Sequence, residues 1–415
     1  MFRYLAAFAA VSFCVPAAQA QVQGEPVLTL ERAIALAGGS APAADAARAG
    51  VEAARAARTA AGLRPNPSFE SQVENVMGSG PYGRFDQAET TAGLSIPIEL
   101  GGKRSARIAV ADAQTSRAQL LSAIAEADIR LQVTQFYVEA VAAERRRATA
   151  QDQLRIAREA LNGAQIRVKA GRASPLEEQR ADVSRVNAEA ALERAQRLAE
   201  TARGNLARRI GQRLTGPLDP AALESLPSRT AGPADTSGAG TLVMAAAEAD
   251  LAIAEAGVQL SRSQRVPDLT LGPAVRRLEA TNATAAVFSL SMPIPLFNSG
   301  RAALAQANAE RDRAEAQRRM TALDAEQAIA EAATEADNAA TTARTASGPA
   351  LAGAQETARI ARIGYREGKF GQLDLLDAER TLAETRLAAI DALAAYQNAR
   401  ARLERLTAPA PEQGH

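Results

Sequence analysis

The sequence predicts an internally duplicated protein that is mainly α-helical and adds four amphipathic β-strands of membrane-crossing length. Three observations support this fold class. Aromatic residues make up only 3% of the 415 residues and Trp is absent, a composition typical of long helices and coiled coils. The second half of the chain repeats the order of motifs in the first. Four short stretches alternate apolar and polar residues with a period of two, as strands with one apolar face do.

The duplication is clearest at two glycine-containing turns inside long helical patterns. The second turn, Tyr365–Ala378, reads Y-R-E-G-K-F-G-Q-L-D-L-L-D-A. Three of its residues, and Ile363 just before it, match residues 197 positions earlier: Ile363, Gly368, Leu373 and Asp374 match Ile166, Gly171, Leu176 and Glu177. Glycine supplies the positive φ that ends a helix and lets the chain turn back. We therefore expect two long antiparallel helical hairpins, with tips at 170–176 and 367–373.

Residues 1–20 are predicted to be a signal peptide that is cleaved before Gln21. Arg3 gives a positive start, an apolar core follows, and Ala18-Gln19-Ala20 forms a small-residue cleavage site. The only cysteine, Cys14, would leave with the signal, so the exported chain would use neither disulfides nor a lipidated cysteine. No later stretch has about 18 consecutive apolar residues, so no transmembrane helix is expected.

The first repeat, 21–216, begins with a helical pattern from Leu28 to Ala61, for which Thr29 is the expected N-cap. A strand hairpin follows at 67–98, with Gly and Pro residues between its two alternating stretches. A helical pattern then runs from about Gly102 to Lys169. A helix of that length would reach roughly 100 Å, which is typical of a coiled coil. The first tip and a return helix complete the repeat.

The residues 217–240 contain four prolines and several glycines and are predicted to be an irregular linker. The second repeat, 241–408, then follows the same plan. It has a helix, a strand hairpin at 267–296, a long helical pattern marked at Gly348-Pro349, the second tip and a return helix. Residues 409–415 are expected to form a flexible tail.

Four such strands cannot close a membrane barrel within one chain. Known barrels need at least about 8 strands, because an open edge in lipid leaves backbone groups unpaired. We therefore expect the chain to oligomerise, and three copies would supply twelve strands. The alternative is a soluble sheet of two hairpins packed on helices.

These features together resemble the TolC family of outer-membrane efflux channels, over essentially the whole exported chain. The order helix, strand hairpin, very long helix, tip and return helix occurs twice, and Tyr365–Ala378 is close to the family's second-tip pattern. Ile98–Arg104, preceded by Asn66-Pro67 and Glu74-Asn75, looks most like the heavy-metal branch of cobalt–zinc–cadmium type. The thin aromatic girdle departs from the family's pattern.

The resemblance implies a homotrimer with a twelve-stranded barrel in the lipid of the outer membrane and a barrel of long antiparallel coiled-coil helices in the periplasm. It implies docking to a periplasmic adaptor (membrane fusion protein) and an inner-membrane pump of the resistance-nodulation-division type. The exported substrate would be heavy-metal cations, or alternatively drugs or other small molecules.

The resemblance also assigns roles at the tips. Asp374 and Asp377 correspond to acidic rings that line the closed tunnel end, and Glu177 keeps one acid at the first tip. Tyr365 corresponds to a residue that ties neighbouring helices together. The alternative for the two aspartates is ordinary carboxylates at a helix start. Gly171, Arg172, Gly368, Lys369 and Phe370 are the exposed hairpin ends and are expected to contact the adaptor. A bulky residue at Gly368 should block close helix approach and strain the turn.

Other functions have little support in the sequence. The only His is the terminal His415, so neither a catalytic triad nor a soft-metal site can be assembled, and no enzyme activity, bound metal or cofactor is expected. A formal charge of +1 gives no basis for nucleic-acid binding. A periplasmic adaptor and a structural coiled-coil protein remain as alternatives to a channel.

Overall fold

The computed structural model describes residues 27–226 and 237–411. The predicted signal peptide, Cys14 and the cleavage site before Gln21 lie outside these residues. So do part of the predicted linker and the last four residues.

The order of elements follows the duplication. The first repeat contains α1 (Leu30–Ser40), α2 (Pro42–Ala61), β1 (Ser68–Glu74), β2 (Glu89–Ile98), α3 (Lys103–Lys169) and α4 (Pro175–Ile210). A short helix follows, α5 (Ala221–Glu224). The second repeat contains α6 (Leu242–Ser263), β3 (Leu269–Leu278), β4 (Ala283–Ser291), α7 (Arg301–Thr345), α8 (Leu351–Arg366) and α9 (Gln372–Leu406). α3 packs along α4 to form the first hairpin, and α8 packs along α9 to form the second.

The four strands form one antiparallel sheet in the order β1-β2-β3-β4. The predicted alternation gives the sheet an apolar face, on which Phe69 lies opposite Leu94 and Leu271 lies opposite Leu290. On the polar face, Arg276 forms ion pairs with Glu89 at 2.8 Å and with Glu74 at 3.3 Å. The prediction for the last strand was too long, since β4 ends at Ser291 and Met292 and Ile294 lie beyond it.

The two repeats differ in the middle of their long helices. α3 is continuous over 67 residues. The corresponding long helix of the second repeat is interrupted at the position that the sequence predicts, by a π-helical turn at Ala346–Ala350. Gly348 leaves helical geometry there with φ −99° and ψ −105°, and Pro349 has no N–H to donate. α7 and α8 are therefore separate helices.

The linker and tail are more ordered than the sequence suggested. Leu218 bridges Leu28, and α5 packs against α9, where the buried Gln397 side chain donates to the backbone oxygen of Ser225 at 2.7 Å. The Ala410 N–H donates to Gly240 at 2.9 Å, so ordered structure continues past 408. Both segments have structure where they are described, because their backbone groups find partners at Leu28, at Gln397 of α9 and at Gly240.

The main core lies where both repeats meet and is rich in alanine, which allows helices to approach closely. Its largest fully buried side chain is Tyr137 of α3. The Tyr137 hydroxyl donates to the Leu28 oxygen at 2.6 Å and accepts from the Asp219 N–H at 2.9 Å. Burial raises the pKa of Tyr137 to about 12, although the hydrogen bond from Asp219 opposes this. The hydroxyl therefore stays protonated and joins α3 to the segment before α1 and to the start of the linker.

The predicted N-cap of the first helix is confirmed, because Thr29 Oγ1 accepts from the Arg32 N–H at 3.3 Å. That helical pattern is divided at Ala41, where Pro42 begins α2. Across residues 27–226 and 237–411, no helix combines the length and the apolar character needed to cross a membrane.

Candidate functional site: the hairpin tips

The two tips have the same backbone geometry. At the first, the N–H groups of Ala170, Gly171 and Arg172 donate to oxygens of Ile166, Val168 and Arg167 at 2.9–3.0 Å. The corresponding bonds occur 197 residues later, from Glu367, Gly368 and Lys369 to Ile363, Tyr365 and Gly364 at 2.8–3.1 Å. Gly171 and Gly368 have φ of +68° and +73°, which favours glycine. The duplication is therefore preserved at the level of individual hydrogen bonds.

Gly368 is constrained by its backbone and not by its neighbours. Within the described residues, no heavy atom lies within 4 Å of the position that a Cβ at Gly368 would take. The expectation that a bulky residue at Gly368 blocks close helix approach stays a prediction, since the free space around a Cβ says nothing of a larger side chain. A substitution there is costly because φ is positive.

The close approach lies at Gly364, a residue that the sequence analysis did not single out. Phe370 folds back over Gly364, and its N–H donates to the Gly364 oxygen at 3.2 Å. A Cβ at Gly364 would overlap the Phe370 ring. The signal in the sequence is a small residue one turn before the tip glycine with an aromatic residue just after it. The first tip has Arg167 and Ala173 at the corresponding positions, so this contact belongs to the second tip.

Tyr365 of the second hairpin contacts the first hairpin through its ring. The Arg167 guanidinium lies over the ring, 5.1 Å from its centroid. The buried Tyr365 hydroxyl finds no hydrogen-bond partner in the part of the chain that the structure describes. An unpartnered buried hydroxyl is costly and indicates a group available to another partner.

Gln372 makes the second contact between the tips. It is buried, and its Nε2 donates to the backbone oxygen of Glu177 at 3.1 Å. Glu177 thus meets the second hairpin through its backbone, while its carboxylate Oε2 is buried without a partner among the described residues. Sequence analysis identified Glu177 by its charge and missed Gln372, which directly follows Gly371.

Asp374 and Asp377 lie on one face of α9, as their spacing predicts. Asp374 Oδ2 accepts from the Gly371 N–H at 2.9 Å, which is the role of a helix-start carboxylate. Asp377 pairs with Arg380 at 2.7 Å, and this hydrogen bond raises the pKa of Arg380. Both partners of that pair are 68% exposed, so solvent screens the attraction strongly.

The two aspartates also line an open groove of about 720 Å³ between α8 and α9. The other lining side chains are mainly apolar or hydroxylic, and include Ile360, Phe370, Leu373 and Thr381. Leu373 is 61% exposed and Phe370 is 42% exposed. The groove therefore combines two carboxylates with an uncovered apolar surface.

An ion pair between a half-exposed Arg362 and a buried Glu379 holds the second hairpin together next to its tip. Glu379 is only 3% exposed and receives two hydrogen bonds from the Arg362 guanidinium, the longer at 2.8 Å. The hydrogen bonds to Glu379 raise the pKa of Arg362, against the opposing effect of burial. The pair joins α8 to α9, so the two helices are expected to move as a unit.

Further ion pairs connect α9 to α3 at positions farther from the tip. Arg386 lies 3.3 Å from Asp152, and Arg146 lies 2.8 Å from Asp391. Within the described ranges, no group of three or more His, Cys, Asp or Glu side chains is placed to hold a metal ion.

Comparisons with known proteins place these repeats in context. The profile of the family described as "Outer membrane efflux protein" matches residues 33–212 and 240–408. The cobalt-zinc-cadmium resistance protein CzcC of Cupriavidus metallidurans is 32% identical over 383 residues, which cover 91% of this chain and 90% of CzcC. The nickel-cobalt-cadmium resistance protein NccC of Alcaligenes xylosoxydans xylosoxydans is 29% identical over 57% of this chain and 54% of NccC.

The fold also resembles solved structures. The outer membrane protein VceC of Vibrio cholerae superimposes with a TM-score of 0.72 over 92% of this chain and 96% of VceC, at 21% identity. At that identity the likeness establishes a shared fold.

Proposed function

Because the chain belongs to the outer membrane efflux protein family, we propose that it is the exit duct of a tripartite system exporting heavy-metal cations. The observation that carries this proposal is the 32% identity to a cobalt-zinc-cadmium resistance protein across nine-tenths of both chains. In this proposal the duct conducts the cations passively.

In this proposal, three copies form the duct, with the strands in the outer membrane and the helical hairpins in the periplasm. A periplasmic adaptor and an inner-membrane pump of the resistance-nodulation-division type deliver the cations. The exposed ends of both hairpins, Gly171-Arg172 and Gly368-Lys369-Phe370, contact the adaptor. The groove beside the second end supports this, because its apolar side chains are uncovered in the single chain.

Asp374 and Asp377 form the gate of the resting duct. Three-fold symmetry gives three copies of each, and like charges held close together attract cations, as acidic rings do in cation-selective pores. The carboxylate of Glu177 and the hydroxyl of Tyr365 are buried without partners in the described chain, which suits groups that meet a neighbouring copy.

The proposal is tested by deleting the gene in its own host and measuring cell-associated cobalt, zinc and cadmium over time. We expect a deletion strain to retain more metal and to stop growing at a lower metal concentration, with both effects reversed by the intact gene. Growth in drugs and detergents serves as the comparison. Normal metal efflux in the deletion strain would refute the metal proposal, and a defect confined to drugs would assign the duct to small molecules.

A further inference from the structure

The level at which the sheet meets the helices carries an excess of positive charge. Four chain segments join strands to helices there, and they are 62–67, 99–107, 262–268 and 292–301. Together they contain seven basic and two acidic residues, although the formal charge of the whole chain is only +1. The loops at the opposite end of the sheet, 75–88 and 279–282, contain one basic and two acidic residues. Positive charge is therefore concentrated at one end of the strands.

Direct contacts hold these four segments together at one level. Each segment is joined to the next by a single close contact. The contacts are Arg104 Nε donating to the Gly62 oxygen at 2.6 Å, Gly101 lying against Val266, and Arg265 Nε donating to the Ser299 oxygen at 3.3 Å. The basic residues of the four segments therefore share one surface region and are not scattered along the chain.

Most of this positive charge has no counter-charge. The two carboxylates of the region are already paired, Glu99 with Arg107 and Asp268 with Lys103. Five exposed arginines remain, and none of them pairs with a carboxylate of residues 27–226 or 237–411. We call these five residues the arginine belt: Arg64, Arg104, Arg262, Arg265 and Arg301.

Exposed apolar side chains lie beside the arginine belt in the sequence. Leu63, which precedes Arg64, is 64% exposed, and Phe297, four residues before Arg301, is completely exposed. Val266, next to Arg265, is also exposed. Arginine at such a boundary lays its aliphatic stem on apolar surface and extends its charged end towards polar surroundings. Apolar and basic residues at one level are typical of a surface that meets both acyl chains and lipid headgroups.

We propose that the arginine belt binds the phosphate groups of anionic phospholipids in the periplasmic leaflet of the outer membrane. Guanidinium groups bind phosphate oxygens through paired hydrogen bonds. Arg104 and Arg265 use only Nε in the contacts described above, so the terminal nitrogens of both remain available. A zwitterionic headgroup brings its own positive charge, which the excess of positive charge repels, and the belt therefore favours anionic lipids.

The inference rests on the proposed function, which places the strands in the outer membrane and the hairpins in the periplasm. The cargo of that proposal also favours the lipid side over the lumen for the belt. Rings of basic side chains in a pore select for anions and oppose the passage of cations. Five unpaired arginines from every copy on the lumen would hinder a duct for metal cations.

The test measures which lipid stays with the purified oligomer. The full chain in non-ionic detergent is incubated with equal amounts of phosphatidylglycerol and phosphatidylcholine with matched acyl chains. The lipid retained after gel filtration is then identified by mass spectrometry. We expect the parent to retain several-fold more phosphatidylglycerol, and added salt to reduce this preference because it screens the charges.

The test variant is Arg64→Gln/Arg262→Gln/Arg301→Gln, which should lose most of the preference. These three arginines form neither a hydrogen bond nor an ion pair with the described residues, so the fold does not depend on them. The matched control is Arg147→Gln/Arg194→Gln/Arg213→Gln, which removes three exposed and unpaired arginines from the helical part. The control should retain lipid as the parent does.

Three results would overturn the proposal. The first is equal retention of the two lipids by the parent, or equal loss of preference in the test and control variants. The second is retention of radiolabelled inorganic phosphate by the lipid-free parent, which would assign the belt to a free anion. The third is a higher cation conductance of the test variant in bilayers of phosphatidylcholine, which would place the arginines on the lumen.

The belt and the proposed function can fail separately. Loss of the lipid preference in a parent protein that supports normal metal efflux would refute the belt alone. Absence of a metal phenotype in the deletion strain, together with a preserved preference for phosphatidylglycerol, would refute the proposed function alone.

Discussion

At the second tip, the contact between Gly364 and Phe370 fixes how the loop returns to α9. The loop is short, and two N–H groups from Lys369 and Phe370 converge on the Gly364 oxygen at 2.8 and 3.2 Å. The aromatic ring covers these bonds because Gly364 has no side chain. Any larger residue would push the ring away and expose the backbone of the tip.

We therefore expect Gly364→Ala to open the second tip, even though Ala favours helices over Gly by about 1 kcal/mol. The measurement is the rate of tryptic cleavage at Arg366 and Lys369 in the intact oligomer, which should rise several-fold. Gly353→Ala in the same helix is the matched control, since a Cβ there would meet no atom of the described chain within 4 Å. Equal cleavage of the two variants would show that the Phe370 contact is unimportant.

For the aspartates of α9, the informative substitution removes the negative charge and keeps the hydrogen bond at the helix start. Asp374 accepts a hydrogen bond from Gly371, and Asn at a helix start can keep that bond. Alanine would remove both at once, at about 1 kcal/mol for the cap.

For Asp374→Asn/Asp377→Asn, we expect reduced cation selectivity and weaker block by a trivalent cation in planar bilayers, because both carboxylate charges are gone. Glu367→Gln, which removes an exposed charge of the same tip outside the groove, should behave as the parent does. Unchanged selectivity and block in the double variant would leave the aspartates as helix-start residues only.

At the scale of elements, the joint between the sheet and the helices is held by two charged pairs. Glu99, at the end of β2, receives hydrogen bonds from Arg107 of α3, the longer at 3.0 Å. Asp268, before β3, pairs with Lys103 at 2.7 Å and accepts from the Leu100 N–H at 3.1 Å. Gly101 lies against Val266 in this joint, where its φ of +71° and a Cβ clash at 2.6 Å both require glycine.

These contacts make the joint sensitive to acid. The hydrogen bond from Arg107 holds the pKa of Glu99 below its usual value. Burial would raise the pKa of Asp268, but the bonds from Lys103 and Leu100 lower it overall. A carboxyl whose pKa is lower in the folded state stabilises it above the unfolded pKa, and this stabilisation is lost as pH falls through the folded pKa.

The oligomer should therefore lose heat stability as the pH falls below about 4, where unfolded carboxyls take up protons. Glu99→Gln/Asp268→Asn should be less stable at neutral pH and should lose less on acidification. The control is Glu52→Gln, which removes an exposed carboxylate paired with Arg55 and should leave the pH profile nearly unchanged. Parallel pH profiles for the parent and the double variant would contradict this account.

At the scale of the whole molecule, duplication organises the chain. One repeat packs on the other within the chain, since β2 pairs with β3 and α3 packs on α6, and the outer edges of β1 and β4 stay unpaired. The resemblance to the TolC family and to its heavy-metal branch is confirmed by the family match and by the resistance proteins among the relatives. The interruption at Gly348-Pro349 occurs in the second repeat only. The two long hairpins therefore differ, because the first has a continuous long helix and the second has an interrupted one.

The sequence by itself determined the repeat, the strand periodicity and the positions of both tips, because each depends on local rules. Gly171 and Gly368 mark turns through their positive φ, and alternation in β1 to β4 follows from side chains pointing to opposite faces of a strand. The ends of the strands were predicted less accurately, as Met292 shows, because the same sequence motif forms a strand only where a neighbouring strand pairs with it. The roles of the tip aspartates came from the resemblance and stay proposals.

Only the tertiary structure decided which residues meet across the sequence. The Arg362–Glu379 pair, the Gln372–Glu177 bond and the Arg167–Tyr365 stack all join residues on different helices. No local pattern specifies such pairs, because they depend on the rotation and register of one long helix against another. A shift of a single residue along α9 would turn its side chains about 100° around the helix and break the contacts of Gln372 and Glu379.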